Sequence, residues 1–392
     1  MIYFLLPNVN PYIYKNLDMK STEVQPKPYV SLSLSQYLYN IKVKIDYYDN
    51  DWDTFKKYTN PFEYINSHIP TKNKCISKYK PLSRSYYKML EIIDTFNLLE
   101  ISNSKMSTFH LAEGPGGFIE ALVNKRNNKN DSYIGMTLLD DKDDYNIPAW
   151  KKSEIFLKSN SNVYIENGKD KTGNILVYEN LEHIIEKYNK MDIITGDGGF
   201  DFSMDFNNQE INIIKLLYAQ MCYAVCLQKK NGSFILKIFD CFMKHTVELI
   251  YILSSCYSEV YITKPQTSRY ANSEKYLVCK GSLFKNDDHI EYFKMNLKKI
   301  IELNESNYIE SFLNLDISYY FLNKLEEHNA IFGQQQIETI NNTINLLENT
   351  NKNDKIDQLV KNNIQKSMNW CMKYNVPYNI INQNNVFLQN EN

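Results

Sequence analysis

Between residues 108 and 279, short β-prone runs alternate with stretches of helical periodicity, and few architectures accommodate that alternation. The runs fall at 108–112, 133–138, 163–165, 192–195, 233–239, 259–263 and 275–279, and the helical stretches at 117–126, 181–188, 211–228 and 245–257. Strands separated by helices bury their apolar faces when the strands lie parallel and the helices cover both sides of the sheet. Only the loop at 265–272 separates the last two runs, too little for a crossover helix, so the final strand is expected antiparallel beside its neighbour. An α/β fold with a mostly parallel sheet follows.

The flanking segments read differently. Residues 1–79 form an N-terminal extension, aromatic and polar with scattered prolines and no long period. The helical spacing of Tyr86, Tyr87, Leu90, Ile93 and Phe96 then opens the α/β domain at 80–283. Beyond Leu283 the strands are expected to stop, and helical periodicity at 290–303, 309–328, 334–348 and 355–374 predicts a helical C-terminal region over 284–392. That region either packs against the flank of the sheet or docks a protein partner. Met368, Trp370 and Met372 within it read as core contacts.

Composition narrows the function classes. With 392 residues, 43% hydrophobic and 23% charged, the chain can bury a sizeable core, which excludes a disordered tail protein. Mean hydropathy is −0.47, and the most apolar stretch, 211–228, is interrupted by Lys215 and Gln220, so no membrane span is expected. The apolar start lacks a basic flank and a small-residue cleavage site, which argues against secretion. Seven cysteines without a C-x-x-C pair fit neither a disulfide framework nor a zinc ribbon, and the six histidines show no ligand spacing. A reducing, cytoplasmic location and no metal are expected. Net charge is −2, so a polyanionic partner would be met by a local basic patch. Ten of the twelve glycines lie between Gly114 and Gly232, and two of the three arginines, Arg84 and Arg269, sit in the motifs below.

His110-Leu-Ala-Glu-Gly-Pro-Gly-Gly-Phe118 follows a β-prone run and opens a helical one. Glycines there let a ligand approach the backbone at the carboxyl edge of the sheet, although a tight strand-to-helix turn calls for the same residues. The motif is not G-x-G-x-x-G, and neither a Walker lysine nor a nucleophile-elbow serine follows it, which sets aside dinucleotide, NTPase and hydrolase readings. Asp192-Ile-Ile-Thr-Gly-Asp-Gly-Gly199 places Asp197 among glycines at the same edge, as a pocket carboxylate or a turn former. In Ser233-Phe-Ile-Leu-Lys-Ile-Phe239 the lone charge is Lys237, which snorkels, pairs with a carboxylate, or serves unprotonated as a base. Ser268-Arg-Tyr-Ala-Asn-Ser-Glu-Lys-Tyr276 puts Glu274 at the start of the last strand, by itself an ordinary solvated residue.

Taken in order over residues 80–282, these motifs resemble the FtsJ-like ribose 2'-O-methyltransferases, which bind S-adenosylmethionine on a Rossmann-like sheet and carry a Lys-Asp-Lys-Glu tetrad. Ser83-Arg-Ser-Tyr-Tyr-Lys-Met-Leu-Glu-Ile92 matches the family's first-lysine helix and points to Lys88; Asp197, Lys237 and Glu274 follow. The resemblance implies Lys237 as the base, Lys88 as the neighbouring cation and phosphate contact, and Asp197 and Glu274 as groups that orient the ammoniums. It implies RNA contacts at Arg84, Lys88 and Arg269, and cofactor contacts at Glu113, Gly114, Pro115, Gly116, Gly117, Phe118 and Asp197. Asp170 is expected on the adenine side, and Asp140 at the cofactor ribose. The His-Leu-x-Glu wording, Gly135-Met-Thr-Leu138 and Gly168-Lys-Asp-Lys-Thr-Gly-Asn174 are similar to the adrift-type mRNA cap branch of eukaryotes and large DNA viruses. Capped mRNA and a viral source are then the expectations. Tyr47, Tyr48, Trp52, Phe55 and Tyr58 either stack on a cap guanine or pack in a core. The alternatives are an rRNA or tRNA 2'-O-methyltransferase and a catalytically silent RNA-binding subunit on the same fold.

Overall fold

A computed structural model gives the structure of the protein and describes residues 1–70, 72–100, 105–140, 147–199, 207–349 and 353–381. The strands are β1 (Ile2–Leu5), β2 (Leu17–Thr22), β3 (Ser107–Leu111), β4 (Ser132–Met136), β5 (Val163–Ile165), β6 (Met191–Gly196), β7 (Gln228–Ile238), β8 (Tyr257–Lys264), β9 (Lys275–Ser282) and β10 (Tyr308–Leu313). Eight of them form one sheet in the order β1-β8-β9-β7-β6-β3-β4-β5. The run from β7 to β5 is parallel. As the short 265–272 loop requires, β9 is antiparallel and inserted between β7 and β8. β1, from the N-terminal extension, adds antiparallel to the outer side of β8.

The helices are α1 (Leu32–Val43), α2 (Asp49–Thr59), α3 (Ser85–Phe96), α4 (Gly117–Arg126), α5 (Glu154–Ser159), α6 (Tyr178–Lys187), α7 (Gln209–Leu227), α8 (Lys244–Cys256), α9 (Ile290–Ile301), α10 (Tyr319–Glu348) and α11 (Asn353–Lys373). Because successive strand residues point to opposite faces, the sheet feeds two cores. Ile194, Phe234 and Leu236 pack with α7 and α8, while Ile193, Ile235 and Val278 pack with α3, α4 and Trp370 of α11. Covering both faces is why the central strands read as near-continuous apolar runs. Each such side chain contributes about 1.5–3 kcal/mol on burial. α7 has the length and apolarity to cross a bilayer, which the interruptions at Lys215 and Gln220 had argued against; 89% of its apolar window is buried inside the protein, as in a core helix.

The C-terminal region departs from the all-helical expectation. Residues 308–313 are the strand β10, paired with β2 of the N-terminal extension. Its apolar positions repeat at a period that short local windows do not separate from a helix, and its partner lies almost 300 residues away. The helix expected over 309–328 instead begins at Tyr319, caps on Ser318 and continues unbroken through the expected joint to Glu348. Gly333 lies within it because Leu34 of α1 packs there; a Cβ would stand 2.9 Å from a Leu34 methyl. α2 meets α10 through Trp52 with Ile340 and Ile344, and through Thr59 Oγ1 and Thr343 Oγ1 at 2.7 Å. The two extensions therefore pack on each other as well as on the sheet. Trp370 is core, between the rings of Tyr87 and Tyr374. Met368 packs against that core, but Met372 is 61% exposed and is not a core contact.

Candidate active site

A cleft of about 970 Å3 opens at the carboxyl edge of the sheet, where the loops after β3, β4 and β6 meet the 265–274 loop. Lys237 near the end of β7 and Tyr276 of β9 are direct register partners, which fixes Glu274, two residues earlier, beside Lys237. Lys88 reaches the same place from α3. Its Nζ lies 2.7 Å from Glu274 Oε1 and 2.8 Å from Oε2, and Ser268 Oγ donates to Oε1 at 2.7 Å. Lys237 Nζ donates to the Asp197 carbonyl at 2.6 Å and lies 3.3 Å from its carboxylate. Burial alone would raise the Glu274 pKa; Lys88 and Lys237 overcome it and bring the value down to about 2, so this carboxylate is ionised at neutral pH. The four residues thus stand as two lysine–carboxylate pairs, each side chain 13–14% exposed.

Tyr276 joins the pairs, a role the sequence reading missed. Its hydroxyl donates to Asp197 Oδ1 at 3.0 Å, while Lys88 Nζ stands 6.0 Å from its ring centroid. Further cations lie beneath. Lys264 Nζ donates to the carbonyls of Asn272 and Glu274, and burial, with Lys275 nearby, pushes its pKa down to about 7. Asp240, three residues after Lys237, pairs with Lys42 at 2.7 Å and faces Lys275 at 3.8 Å. Lys42 belongs to α1, so the N-terminal extension is built into the floor of the site.

Arg84, at the N-cap of α3, and Lys88 and Glu91 within it face the 265–274 loop on successive turns. Glu91, fully buried, accepts the backbone N–H groups of Gln266 and Thr267 at 2.8 Å each. Arg84 and Arg269 line the cleft, and both bond to one carboxylate, Glu63, which sequence reasoning did not single out. Of the five upstream aromatics only Trp52 lines the cleft, next to Ile45 and Lys56. Tyr48 bonds Glu348, Tyr47 is 79% exposed, and Phe55 meets Tyr58 edge-on.

The glycine-loop residues divide. Gly114 and Asp197 line the cleft, together with Thr137, Leu138 and Asn174. Glu113 is turned beneath the loop, where its carboxylate bonds Thr195 and approaches His110; His110 in turn is held by Thr108 and Thr195 at 2.8 and 2.7 Å. The Pro115 carbonyl accepts from Ser153, and Phe118 is buried against Tyr276. Glycine is required here chiefly by protein atoms. A Cβ at Gly114 would collide with the Ala149 carbonyl and one at Gly117 with Ser85 Oγ, and at Gly116 it would stand 3.1 Å from Trp150. Two acidic residues are placed away from the cleft wall. Asp140 pairs with Lys151, and Asp170 accepts from Thr172 in its own loop and from Asn180 of α6. Asn174 and Ile175, a few residues on, line the cleft instead. No group of side chains suited to a metal ion occurs among the described residues.

The chain is 28% identical over 321 residues to the cap-specific mRNA (nucleoside-2'-O-)-methyltransferase 1A of Caenorhabditis briggsae, a match spanning 74% of this chain and 36% of the relative. It is 32% identical over 271 residues to the cap-specific mRNA (nucleoside-2'-O-)-methyltransferase 1 of Mus musculus, spanning 65% of this chain and 31% of that protein. A third relative, 29% identical over 238 residues, is an inactive cap-specific mRNA (nucleoside-2'-O-)-methyltransferase 1B of Caenorhabditis briggsae, spanning 57% of this chain and 27% of the relative. The chain thus spans about a third of the length of these curated relatives. The family model for FtsJ-like methyltransferases matches residues 81–282, just over half of the chain and the part that supplies both lysine–carboxylate pairs. This chain belongs to the FtsJ-like methyltransferase family.

Proposed function

We propose that the chain transfers a methyl group from S-adenosylmethionine to a ribose 2'-hydroxyl of RNA, at a cap-proximal nucleotide of mRNA. The observation that carries this reading is the convergence of Lys88–Glu274 and Lys237–Asp197 at the carboxyl edge of the sheet. The cleft walls suit the cofactor. Leu138, Ile147, Pro148 and Ile175 offer apolar surface to a flat base, and Asp197 offers a carboxylate to a cationic centre. S-adenosylmethionine, when bound there, supplies a methyl group activated on a sulfonium.

A ribose hydroxyl ionises far above pH 7, so its proton must leave as the oxygen attacks. Lys237, in its neutral form, takes that proton; the Asp197 carbonyl and carboxylate orient its Nζ. Lys88 adds positive charge beside the reacting oxygen, and Glu274 fixes Lys88. Most of the acceleration is then positioning and fixed electrostatics. Arg84 and Arg269 at the cleft mouth suit phosphate oxygens, which position RNA without reading its sequence. Trp52 is a core residue, 8% exposed, and presents no open face; with the half-buried Ile45 it forms an apolar wall that in this reading borders the cap guanine.

The cap-specific relatives support the choice of substrate, and the intact ion pairs favour an active enzyme over a silent subunit. We place the chain in the reducing cytoplasm, on an odd number of cysteines without a C-x-x-C pair in its sequence. Incubation with labelled S-adenosylmethionine and matched capped, uncapped and structured RNAs, followed by nucleoside mapping, tests the proposal. Label in a 2'-O-methylnucleoside beside the cap supports it; label confined to internal positions of structured RNA supports an rRNA or tRNA enzyme; no label in any RNA overturns it.

A further inference from the structure

We infer that Glu63 is a positioning residue that clamps Arg84 and Arg269 into a two-guanidinium grip for the phosphate chain of the RNA, an inference that rests on the RNA reading above. Glu63 lies ahead of the family span, in the 3-10 turn Glu63–Ile65, and is fully buried. Its carboxylate receives five donors. Arg84 Nη1 and Arg269 Nη2 meet Oε1 at 2.8 Å each, and Arg269 Nε meets Oε2 at 3.0 Å. Ser67 Oγ and Asn60 Nδ2 complete the set at 2.6 Å. Burial works against ionisation, but the two guanidiniums hold Glu63 well below the usual carboxylate range.

Three features go beyond a structural ion pair. First, one carboxylate serves two cations, so the trio keeps a surplus positive charge, and both arginines line the cleft with 23% and 27% of their side chains exposed. Second, the arginines come from distant parts of the chain, Arg84 just before α3 and Arg269 in the loop that leads to Glu274; Glu63 is what brings them together. Arg84 Nη2 also donates to the Thr267 carbonyl, which ties the same loop to α3. Third, the chain holds 41 lysines and three arginines, and places two of the three here. Arg269 engages Glu63 in a two-pronged contact that a lysine cannot make. Two fixed guanidiniums match the geometry of phosphate oxygens better than mobile ammoniums do.

The test uses the full chain, methylation kinetics and binding of a fluorescent capped RNA across a salt series. Glu63→Gln keeps the size and removes the charge that holds the arginines together. The KM for RNA should rise about tenfold while kcat and cofactor affinity stay within about twofold, the pattern of lost binding as opposed to lost chemistry. The slope of log affinity against log salt should shrink by about one to two, the number of phosphate contacts loosened. Arg269→Lys keeps the charge but not the two-pronged contact and should raise KM similarly, so the test stands even if Glu63→Gln does not fold. In an Arg84→Ala/Arg269→Ala background, Glu63→Gln should add nothing further to KM. Wild-type RNA kinetics with unchanged KM in both Glu63→Gln and Arg269→Lys would overturn the inference alone. Failure of the wild-type chain to bind or methylate any RNA would overturn the RNA reading beneath it.

Discussion

Replacing Lys237 with alanine separates chemistry from folding. A positioned general base contributes roughly 100- to 10,000-fold, so kcat should fall by at least about 100-fold. The stability cost is bounded by the surroundings of Asp197. Breaking a fully buried ion pair costs about 3–5 kcal/mol because a charge is left alone. Asp197 keeps the Tyr276 hydroxyl at 3.0 Å and some solvent contact, so the cost should be about 1–3 kcal/mol and the variant should remain folded. Lys237→Arg sharpens the test, because arginine preserves the charge but does not deprotonate near neutral pH. Both variants should be assayed in single turnover with saturating cofactor and capped RNA, with calorimetric cofactor binding and thermal melting alongside. The base assignment predicts that arginine fails to rescue and that cofactor affinity changes at most a few-fold. Turnover of Lys237→Arg within about fivefold of the parent would refute it and leave Lys237 a purely electrostatic role.

Other outcomes follow from the same geometry. Burial, with Asp240 adding repulsion, raises Glu210 to about 7, and burial raises Glu248 to about 7, whereas burial lowers His245 to about 4. The raised carboxylates contribute stability that is full below an unfolded pKa of about 4.3 and is lost as pH rises through 7, while the histidine works the other way between about 4 and 6.5. Burial likewise raises Glu91, Glu113 and Glu120 and lowers His289 and His328, so five carboxylates work against three histidines. Denaturant unfolding should therefore show greater stability at pH 5 than at pH 7, and Glu248→Gln should reduce that difference, whereas a rise in stability from pH 5 to 7 would contradict the assignment. Gly116 has φ +100° and faces Trp150, so Gly116→Val should destabilise the fold by about 1–3 kcal/mol even without cofactor. Unchanged melting with weakened cofactor binding would instead show that the ligand demands this glycine. Trp52 is 8% exposed and packs with Ile340 and Ile344, so Trp52→Ala should cost roughly 3–5 kcal/mol in denaturant unfolding. Where the variant is folded, KM for capped RNA should rise several-fold more than for 5'-triphosphate RNA in steady-state kinetics, and equal effects on the two would move the cap guanine elsewhere.

What could be read from the sequence was what is locally encoded. The seven β-prone runs from 108 to 279 became β3 to β9, and the antiparallel β9 followed from a loop too short to cross over. β1, β2 and β10 were missed because each is defined by a partner hundreds of residues away, β1 by β8 and β2 and β10 by each other, and not by its own composition. Lys88, Asp197, Lys237 and Glu274 were joined in sequence only by the family resemblance, and the structure brings them together as two pairs. Gly114, Gly116 and Gly117 were read as room for a ligand, whereas in the structure Ala149, Trp150 and Ser85 occupy the space beside them, and of these glycines only Gly114 lines the cleft. Glu63 left no local signal, because a glutamate in a short turn is ordinary until two arginines converge on it. Tyr276 was hidden in the same way, one more tyrosine in a chain with 31 of them.

The most direct test of the account is a competition between two short RNAs of one sequence, one capped and one bearing a 5' triphosphate, with labelled S-adenosylmethionine and mapping of the methyl group. In the proposal Arg84 and Arg269 contact phosphates of either RNA, and discrimination comes from the apolar wall at Ile45 and Trp52. The account predicts that the capped RNA is methylated much faster and that the label lies on the 2'-oxygen of a cap-proximal ribose. Equal rates on both RNAs, or label on a base or an internal ribose, would contradict it.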